Sequence, residues 1–184
     1  MLIVEGPDGA GKTTLIEAFQ EAFDIPVAPR VVTKETKGIV DLKAWVDNNL
    51  DQGFQRMIFD RHRLISETIY GPILRGKQEP GFDKLSWLGP RMQRLYHIRP
   101  IIIYCLPPLQ TVLDNVLGDP DNVAVAARIE SIYSAYVTRI SMDLSLASGM
   151  VEVWDYKNSA KINHLPTWFN RVHHHMELRL GKLA

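Results

Sequence analysis

The chain has 184 residues, 46% of them hydrophobic, and its 21 Lys and Arg residues are balanced by 21 Asp and Glu residues. This length and polarity suit one domain with a substantial buried core and exclude a membrane-embedded protein. The neutral balance excludes a global electrostatic field that would gather nucleic acid or anionic lipid, so any site for a polyanion must be local.

The single cysteine and the first residues bear on the cellular compartment. Cys105 lies in an apolar run at 101–106, which predicts a small buried core residue and excludes an intrachain disulfide. Because Met1 to Val4 already form a predicted strand, we expect no signal or transit peptide, no membrane association and a cytoplasmic protein.

Apolar periodicity predicts that strands and helices alternate along the chain. The predicted strands are 2–4, 27–33, 57–59, 101–106 and 151–154, and the predicted helices are 15–23, 39–50, 64–70, 109–117 and 129–147. A charged, Gly/Pro-rich stretch at 71–83 is expected to be a mobile surface segment, and a helix interrupted near Gly89 and Pro90 follows it. This order predicts a single three-layer α/β/α domain over 1–184 with a five-stranded parallel sheet.

A glycine-rich motif follows the first strand. Gly6 to Thr13 read GPDGAGKT, which fits the GxxxxGKT pattern of phosphate loops and stands between a predicted strand and a predicted helix. Backbone N–H groups and the helix N-terminus would surround phosphate oxygens, Lys12 would approach the β- and γ-phosphates, and Thr13 would bind Mg²⁺. The sequence therefore predicts a P-loop kinase fold that binds ATP with magnesium. The predicted ATP-binding residues are Gly6, Pro7, Asp8, Gly9, Ala10, Gly11, Lys12, Thr13 and Thr14.

The strand at 57–59 leads into a second group of charged residues. Asp60 is followed by Arg61, His62 and Arg63, so a carboxylate and several cations would lie at the carboxyl end of a strand beside the phosphate loop. An acceptor is expected there. The sequence lacks the Asn-Lys-x-Asp segment of switch GTPases, and the strand that ends at Leu106 continues with prolines where motor ATPases have an acidic residue.

Two motifs, Glu5-Gly-Pro-Asp-Gly-Ala-Gly-Lys-Thr-Thr14 and Asp60-Arg-His, resemble thymidylate kinases, and the order of elements agrees over most of the chain. The resemblance implies that Asp8 contacts the sugar hydroxyl of the acceptor. It also implies that Asp60 and Arg61 handle magnesium and the transferred phosphoryl group. Lys34 stands where the family has an arginine near the acceptor phosphate, and Tyr70 is a further candidate for acceptor binding.

The sequence also departs from the thymidylate kinase pattern. Ser66 and Tyr70 lie one residue later than the family spacing, and Gly71 stands where a glutamine is usual. A short lid is expected near 118–128, but residues 118–122 are acidic where the family usually has arginines. Arg128 is the nearby cation that could reach the transition state.

Catalysis of phosphoryl transfer resides mainly in positioning and in cations, so Lys12, Arg61 and magnesium are expected to form its core. A monophosphate acceptor needs no base because its oxygen is already ionised, whereas a hydroxyl acceptor does. Asp60 is the first candidate base, and Glu35 or Asp8 the next.

Other residues carry weaker interpretations. Aromatic side chains at helical spacing are more often core residues than base-stacking residues; the candidates for stacking are Tyr70, Trp87, Tyr96 and Phe54. The His173 to His175 run is predicted to lie on a solvated face of a helix at 165–180, because consecutive residues point in different directions around a helix. By analogy with the fold, adenine would lie near 155–159.

Three hypotheses follow. The first is a thymidylate kinase-like enzyme that moves the γ-phosphate of ATP to a small-molecule acceptor, a deoxynucleoside monophosphate, with dTMP favoured. The second is a kinase for a hydroxyl group on a deoxynucleoside or on 5-hydroxymethyluracil within DNA, which would require a local cationic surface, for example one around Arg91, Arg94 and Arg99. The third is a regulatory protein that hydrolyses ATP slowly. Homodimerisation is left open.

Overall fold

The computed structural model describes residues 1–29, 42–51, 57–79, 81–119, 123–146, 151–158 and 174. Within these ranges strands and helices alternate as the apolar pattern predicts. The strands are β1 (Leu2–Glu5), β2 (Ile58–Asp60), β3 (Ile101–Cys105) and β4 (Val151–Trp154). The helices are α1 (Lys12–Phe23), α2 (Leu42–Asp51), α3 (Arg63–Arg75), α4 (Leu85–Ile98), α5 (Leu109–Leu117), α6 (Val123–Ala126) and α7 (Ile129–Leu146).

The strands form one parallel sheet in the order β2-β1-β3-β4. Every residue of β1 and β3 is buried, as expected for central parallel strands that helices cover on both faces. In the register of β1 and β2, Val4 lies opposite Asp60. Because all strands run the same way, the residues that follow their carboxyl ends meet at one edge of the sheet.

The prediction of a five-stranded sheet is wrong for the described residues, which form four strands. The expected second strand, 27–33, contributes a single parallel bridge between Val27 and Ile58. Pro26 and Pro29 flank this bridge, and proline has no N–H to extend a ladder of hydrogen bonds. Residues 30–33 lie outside the described residues.

Alternating strand residues supply two apolar clusters, one on each face of the sheet. Leu2 and Val4 belong to the cluster that includes Leu15 and Phe19 of α1. Ile3 belongs to the other cluster, which takes residues from α2, α3, α4 and α7. Helices on both faces of a parallel sheet are the three-layer arrangement that the sequence predicts.

The segment at 71–83, predicted to be a mobile surface stretch, is partly helical and partly buried. Helix α3 continues through Gly71 to Arg75, and Phe82 is 1% exposed in the core. Glu67 holds this region together, because its buried carboxylate accepts hydrogen bonds from the Arg75 guanidinium and from the backbone N–H of Glu79, the latter at 2.9 Å.

Helix α4 runs through Gly89 and Pro90 without the predicted interruption. Proline removes one helical hydrogen bond and so leaves the carbonyl of Ser86 without its donor. Both Ser86 and Pro90 are exposed, so water can satisfy this carbonyl. No helix in the described ranges is long and apolar enough to span a bilayer. Of the histidine run, His174 is exposed, and the rest of the predicted helix at 165–180 lies outside the described residues.

A buried carboxylate joins α7 to β3 and α4. Asp143 is 0% exposed and accepts hydrogen bonds from the hydroxyls of Tyr104 and Tyr96 and from Nε of Arg139 at 2.8 Å. Arg139 also donates to the Tyr96 hydroxyl at 3.0 Å. Every donor of this network therefore depends on one acidic side chain.

We expect Asp143→Ala to lower the free energy of unfolding by about 3 kcal/mol or more, because it leaves Nε of the largely buried Arg139 and two phenols without their acceptor. Urea denaturation would measure the loss. Met142→Ala is the matched control, because Met142 is the preceding residue of the same helix and is 52% exposed. Equal stability of the two variants would contradict the prediction.

Candidate active site

The loop between β1 and α1 has the backbone of a phosphate-binding loop. Gly6, Gly9 and Gly11 have φ angles of 138°, 73° and 80°, which residues other than glycine rarely adopt. Gly6 also passes close to β3, because a Cβ on it would lie 2.4 Å from the carbonyl oxygen of Cys105. The N-terminus of α1 follows at Lys12, so its unpaired N–H groups face the loop.

Lys12 points back into this loop. Its side chain is 8% exposed, and its Nζ donates a 2.6 Å hydrogen bond to the carbonyl oxygen of Pro7. Burial, together with the nearby charge of Arg61, lowers the pKa of Lys12 to about 8. An anion placed in the loop would favour the protonated form of Lys12 and so raise this pKa again.

Arg61 lies beside the loop because β1 and β2 pair in parallel. Its backbone N–H donates to the carbonyl oxygen of Val4 at 2.9 Å, and its φ is 64°. Its guanidinium turns inward, where one nitrogen lies 3.2 Å from Gly6 O, 2.7 Å from Asp8 Oδ1 and 2.7 Å from the Tyr70 hydroxyl. Tyr70 in turn donates to Asp8 Oδ2 at 2.9 Å, which closes a three-membered ring of contacts.

This ring sets the charge of Asp8. Burial alone would raise the pKa of Asp8, but the charges of Arg61 and Lys12 hold that pKa below its ordinary value. The carboxylate therefore stays ionised at neutral pH. Cζ of Arg61 lies 4.7 Å from the centroid of the Tyr70 ring, so Tyr70 helps to hold the Arg61 guanidinium in place.

Two buried groups behind the loop were not among the predicted site residues. Glu5 is 0% exposed and accepts from the backbone N–H of His62 at 2.7 Å and from the Tyr136 hydroxyl at 2.9 Å. Burial raises the pKa of Glu5 to about 7. His62 caps α3, since its Nδ1 accepts from the N–H of Leu64 at 3.3 Å, and burial lowers its pKa to about 3, so it stays neutral.

A cavity of about 610 Å³ opens over the loop and the carboxyl end of β2. Its lining falls into a phosphate-loop side, a group of charged residues at the end of β2, and a wall of apolar and aromatic residues. The lining residues are Asp8, Gly9, Gly11, Lys12, Thr13, Ala28, Pro29, Trp45, Phe59, Asp60, Arg61, Arg63, Asn115 and Asp119. A volume of this size is typical of small-molecule sites.

Trp45 and Arg63 line the cavity although the sequence did not predict them as site residues. Trp45 follows the apolar period of α2, so its pattern could not be told from that of a core residue. Arg63 is half-buried, and burial together with Arg61 lowers its pKa. Within the described residues its side chain makes no hydrogen bond. The Asp60-Arg-His-Arg63 run carried the signal that could have found it.

The structure brings most of the predicted site residues together. Asp8, Lys12, Thr13, Asp60 and Arg61 share the cavity, while Ala10, in the same loop, is buried. Thr14 follows Thr13 in the first turn of α1 and is exposed.

Other predicted residues lie elsewhere. Arg128 is exposed beyond α6 and does not line the cavity. Trp87 packs on Phe82, and Tyr96 bonds to Asp143, so neither reaches the cavity. Lys34, Glu35 and Phe54 are outside the described part of the chain.

A parallel sheet with a glycine-rich loop between its first strand and first helix defines a P-loop kinase-like fold. Neither a protein-family model nor a curated protein sequence matches this chain. Among solved structures it is similar to the YorR protein of Bacillus subtilis, determined in complex with phosphorylated GDP. The two are 18% identical, the alignment covers 95% of this chain and 97% of that chain, and the TM-score is 0.64. At this identity the similarity shows the fold.

We expect the affinity for ATP to fall by about tenfold per pH unit above pH 8, because a bound triphosphate favours the protonated form of Lys12, whose pKa in the free protein is about 8. Calorimetry up to about pH 9.5 would measure this fall. Glu5 titrates below this window and Cys105 above it. Lys12→Arg, which stays charged, should show no such slope. An ATP affinity of the unmodified protein that does not change with pH would contradict the role of Lys12 in binding the triphosphate.

Proposed function

We propose that this protein is an ATP-dependent phosphotransferase that moves the γ-phosphate to a deoxynucleoside monophosphate, with dTMP as the favoured acceptor. One observation carries the proposal. A single cavity joins the phosphate loop to Asp60, Arg61 and Arg63 and to an aromatic wall. Such a cavity can hold a triphosphate and an aromatic acceptor with their phosphates facing the same cations.

The phosphate loop and Lys12 would bind the donor. Loop N–H groups and the start of α1 favour a polyanion, and Lys12 would exchange its bond to Pro7 O for one to a phosphate oxygen. The hydroxyl of Thr13 and the carboxylate of Asp60 line the same cavity and are oxygen ligands of the kind that Mg²⁺ prefers. When bound, magnesium would neutralise charge on the donor phosphates.

The acceptor would lie against Trp45 and Phe59, with its phosphate toward Arg61 and Arg63. An ionised phosphate oxygen needs no general base, so these residues have to position the acceptor and offset the negative charge of two anions. Asp8 stays ionised in the bonded ring with Arg61 and Tyr70 and could accept a hydrogen bond from an acceptor sugar hydroxyl.

A hydroxyl acceptor is the second candidate, favoured by the position of Asp60. This carboxylate lies in the cavity at the end of β2, where it could act as the base that a hydroxyl requires. The lid region also departs from the thymidylate kinase pattern, since Asp119 lines the cavity while Arg128 lies away from it. For a DNA-borne acceptor the surface offers less charge than the sequence suggested, because Arg91 and Arg94 pair with Asp47 and Asp51.

The proposal is tested by transfer of labelled γ-phosphate from ATP to a panel of acceptors. The panel contains dTMP, other deoxynucleoside monophosphates, free deoxynucleosides, and plain or 5-hydroxymethyluracil-containing DNA, with Lys12→Ala as the inactive control. We expect labelled dTDP. Label in a nucleoside or in modified DNA, abolished by Asp60→Asn, would replace the first function by the second. Slow release of phosphate with every acceptor would reject both.

We expect Arg63→Gln to raise the KM for the monophosphate acceptor by about tenfold or more, since a charge-assisted hydrogen bond to a phosphate oxygen is lost. Arg63→Lys should recover part of the loss because the charge remains. Steady-state kinetics with each substrate varied in turn would measure both, and the KM for ATP should stay unchanged. Arg94→Gln, at an exposed ion pair outside the cavity, is the control. An unaltered acceptor KM in Arg63→Gln would contradict this role.

A further inference from the structure

The outer face of the phosphate loop is covered by two elements that are far apart in sequence. A Cβ on Gly9 would lie 2.8 Å from Cγ2 of Val116 and 3.0 Å from the carbonyl oxygen of Val112, so α5 packs directly on Gly9. A Cβ on Gly11 would lie 3.1 Å from Cε1 of Tyr156. The turn after β4 therefore packs on the other end of the loop.

One side chain joins α5 to the turn after β4. Nδ2 of Asn115, on α5, donates to the carbonyl oxygen of Gly9 at 2.7 Å and to the hydroxyl of Tyr156 at 2.9 Å. Tyr156 is seated in turn by the ring of Trp154, whose centroid lies 5.7 Å from its own. Asn115 is exposed and contributes nothing to the apolar core, so its side-chain role lies in these two hydrogen bonds.

The bond to Gly9 fixes the direction of one peptide plane. In a trans peptide the C=O of one residue and the N–H of the next point in opposite directions. Because Asn115 holds the Gly9 carbonyl outward, the Ala10 N–H points inward. Among the described residues it makes one long hydrogen bond, at 3.4 Å, to the Pro7 carbonyl oxygen, which also accepts from Lys12. This N–H is thus directed toward the interior of the loop, where the Lys12 ammonium lies.

We propose that Asn115, supported by Tyr156, is a positioning residue for the donor triphosphate, holding the Gly9–Ala10 peptide so that its N–H is presented to a phosphate oxygen. This inference rests on the nucleotide-binding half of the proposed function. Tyr156 contacts the loop through its ring, at Gly11, whereas its hydroxyl contacts Asn115. The hydroxyl therefore acts on the loop through Asn115.

The test compares Asn115→Ala, Tyr156→Phe and the double variant, with Mg-ATP binding measured by calorimetry and KM measured for donor and acceptor separately. We expect Asn115→Ala to raise the Kd and KM for ATP by about five- to tenfold, the range of one hydrogen bond, and to leave the acceptor KM unchanged. Tyr156→Phe should give a smaller rise. The double variant should match Asn115→Ala, because the hydroxyl has lost the group through which it acts.

Gln110→Ala is the matched control, since Gln110 is an exposed residue of the same helix whose side chain bonds only to Asp114 among the described residues, at 2.8 Å. The melting temperature of each variant reports its folding, and Tyr156→Phe, which keeps the ring, preserves the test if Asn115→Ala folds poorly. Unchanged ATP affinity, an additive double variant, or an equal rise in the acceptor KM would overturn the inference. If no acceptor is phosphorylated, the proposed function fails, while the calorimetric comparison still decides the role of Asn115.

Discussion

Strand β1 lies between β2 and β3 and is hydrogen-bonded in parallel to both. The bond from the Arg61 N–H to Val4 O continues this pairing one residue beyond β2. It holds Arg61 in a left-handed conformation that turns the guanidinium toward Gly6 and Asp8. The loop that follows β1 and the charges that follow β2 are thereby placed side by side, and the cavity lies over both.

The cations beside the loop are buried or half-buried and only partly neutralised by neighbouring carboxylates. Lys12, Arg61 and Arg63 lie close enough for Arg61 to lower the pKa of both neighbours, and burial acts on them in the same direction. Asp8 is ionised, whereas burial raises the pKa of Glu5 to about 7, so about half of this carboxyl is protonated at pH 7. Cations kept out of water in this way interact strongly with an entering anion, because less solvent screens the interaction. The same arrangement costs folding stability, which the apolar clusters on both faces of the sheet must offset.

The sequence predicted the parts of the site whose signal is local. The phosphate loop, Asp60 and Arg61 stand in short motifs at strand ends, and the alternation of strands and helices puts those ends at one edge. The cavity wall was not predictable in this way, because Trp45 reaches it from α2, whose apolar pattern is that of any packed helix. The fifth strand was overpredicted because apolar residues at 27–33 satisfy a periodicity, whereas two prolines near its start limit its hydrogen bonding. Beyond Gly71, α3 ends at Arg75, which contacts the buried Glu67, and no turn signal in the sequence contains this contact.

The close approach of Gly6 to β3 has a consequence for thiol chemistry. Cys105 is 0% exposed beneath the loop, and burial raises the pKa of its thiol to about 12. Reaction with an alkylating reagent requires the thiolate and access to it, so the folded protein resists modification at its single cysteine. The rate at which this thiol is alkylated therefore measures how often the central strands open, and no label has to be introduced into the chain.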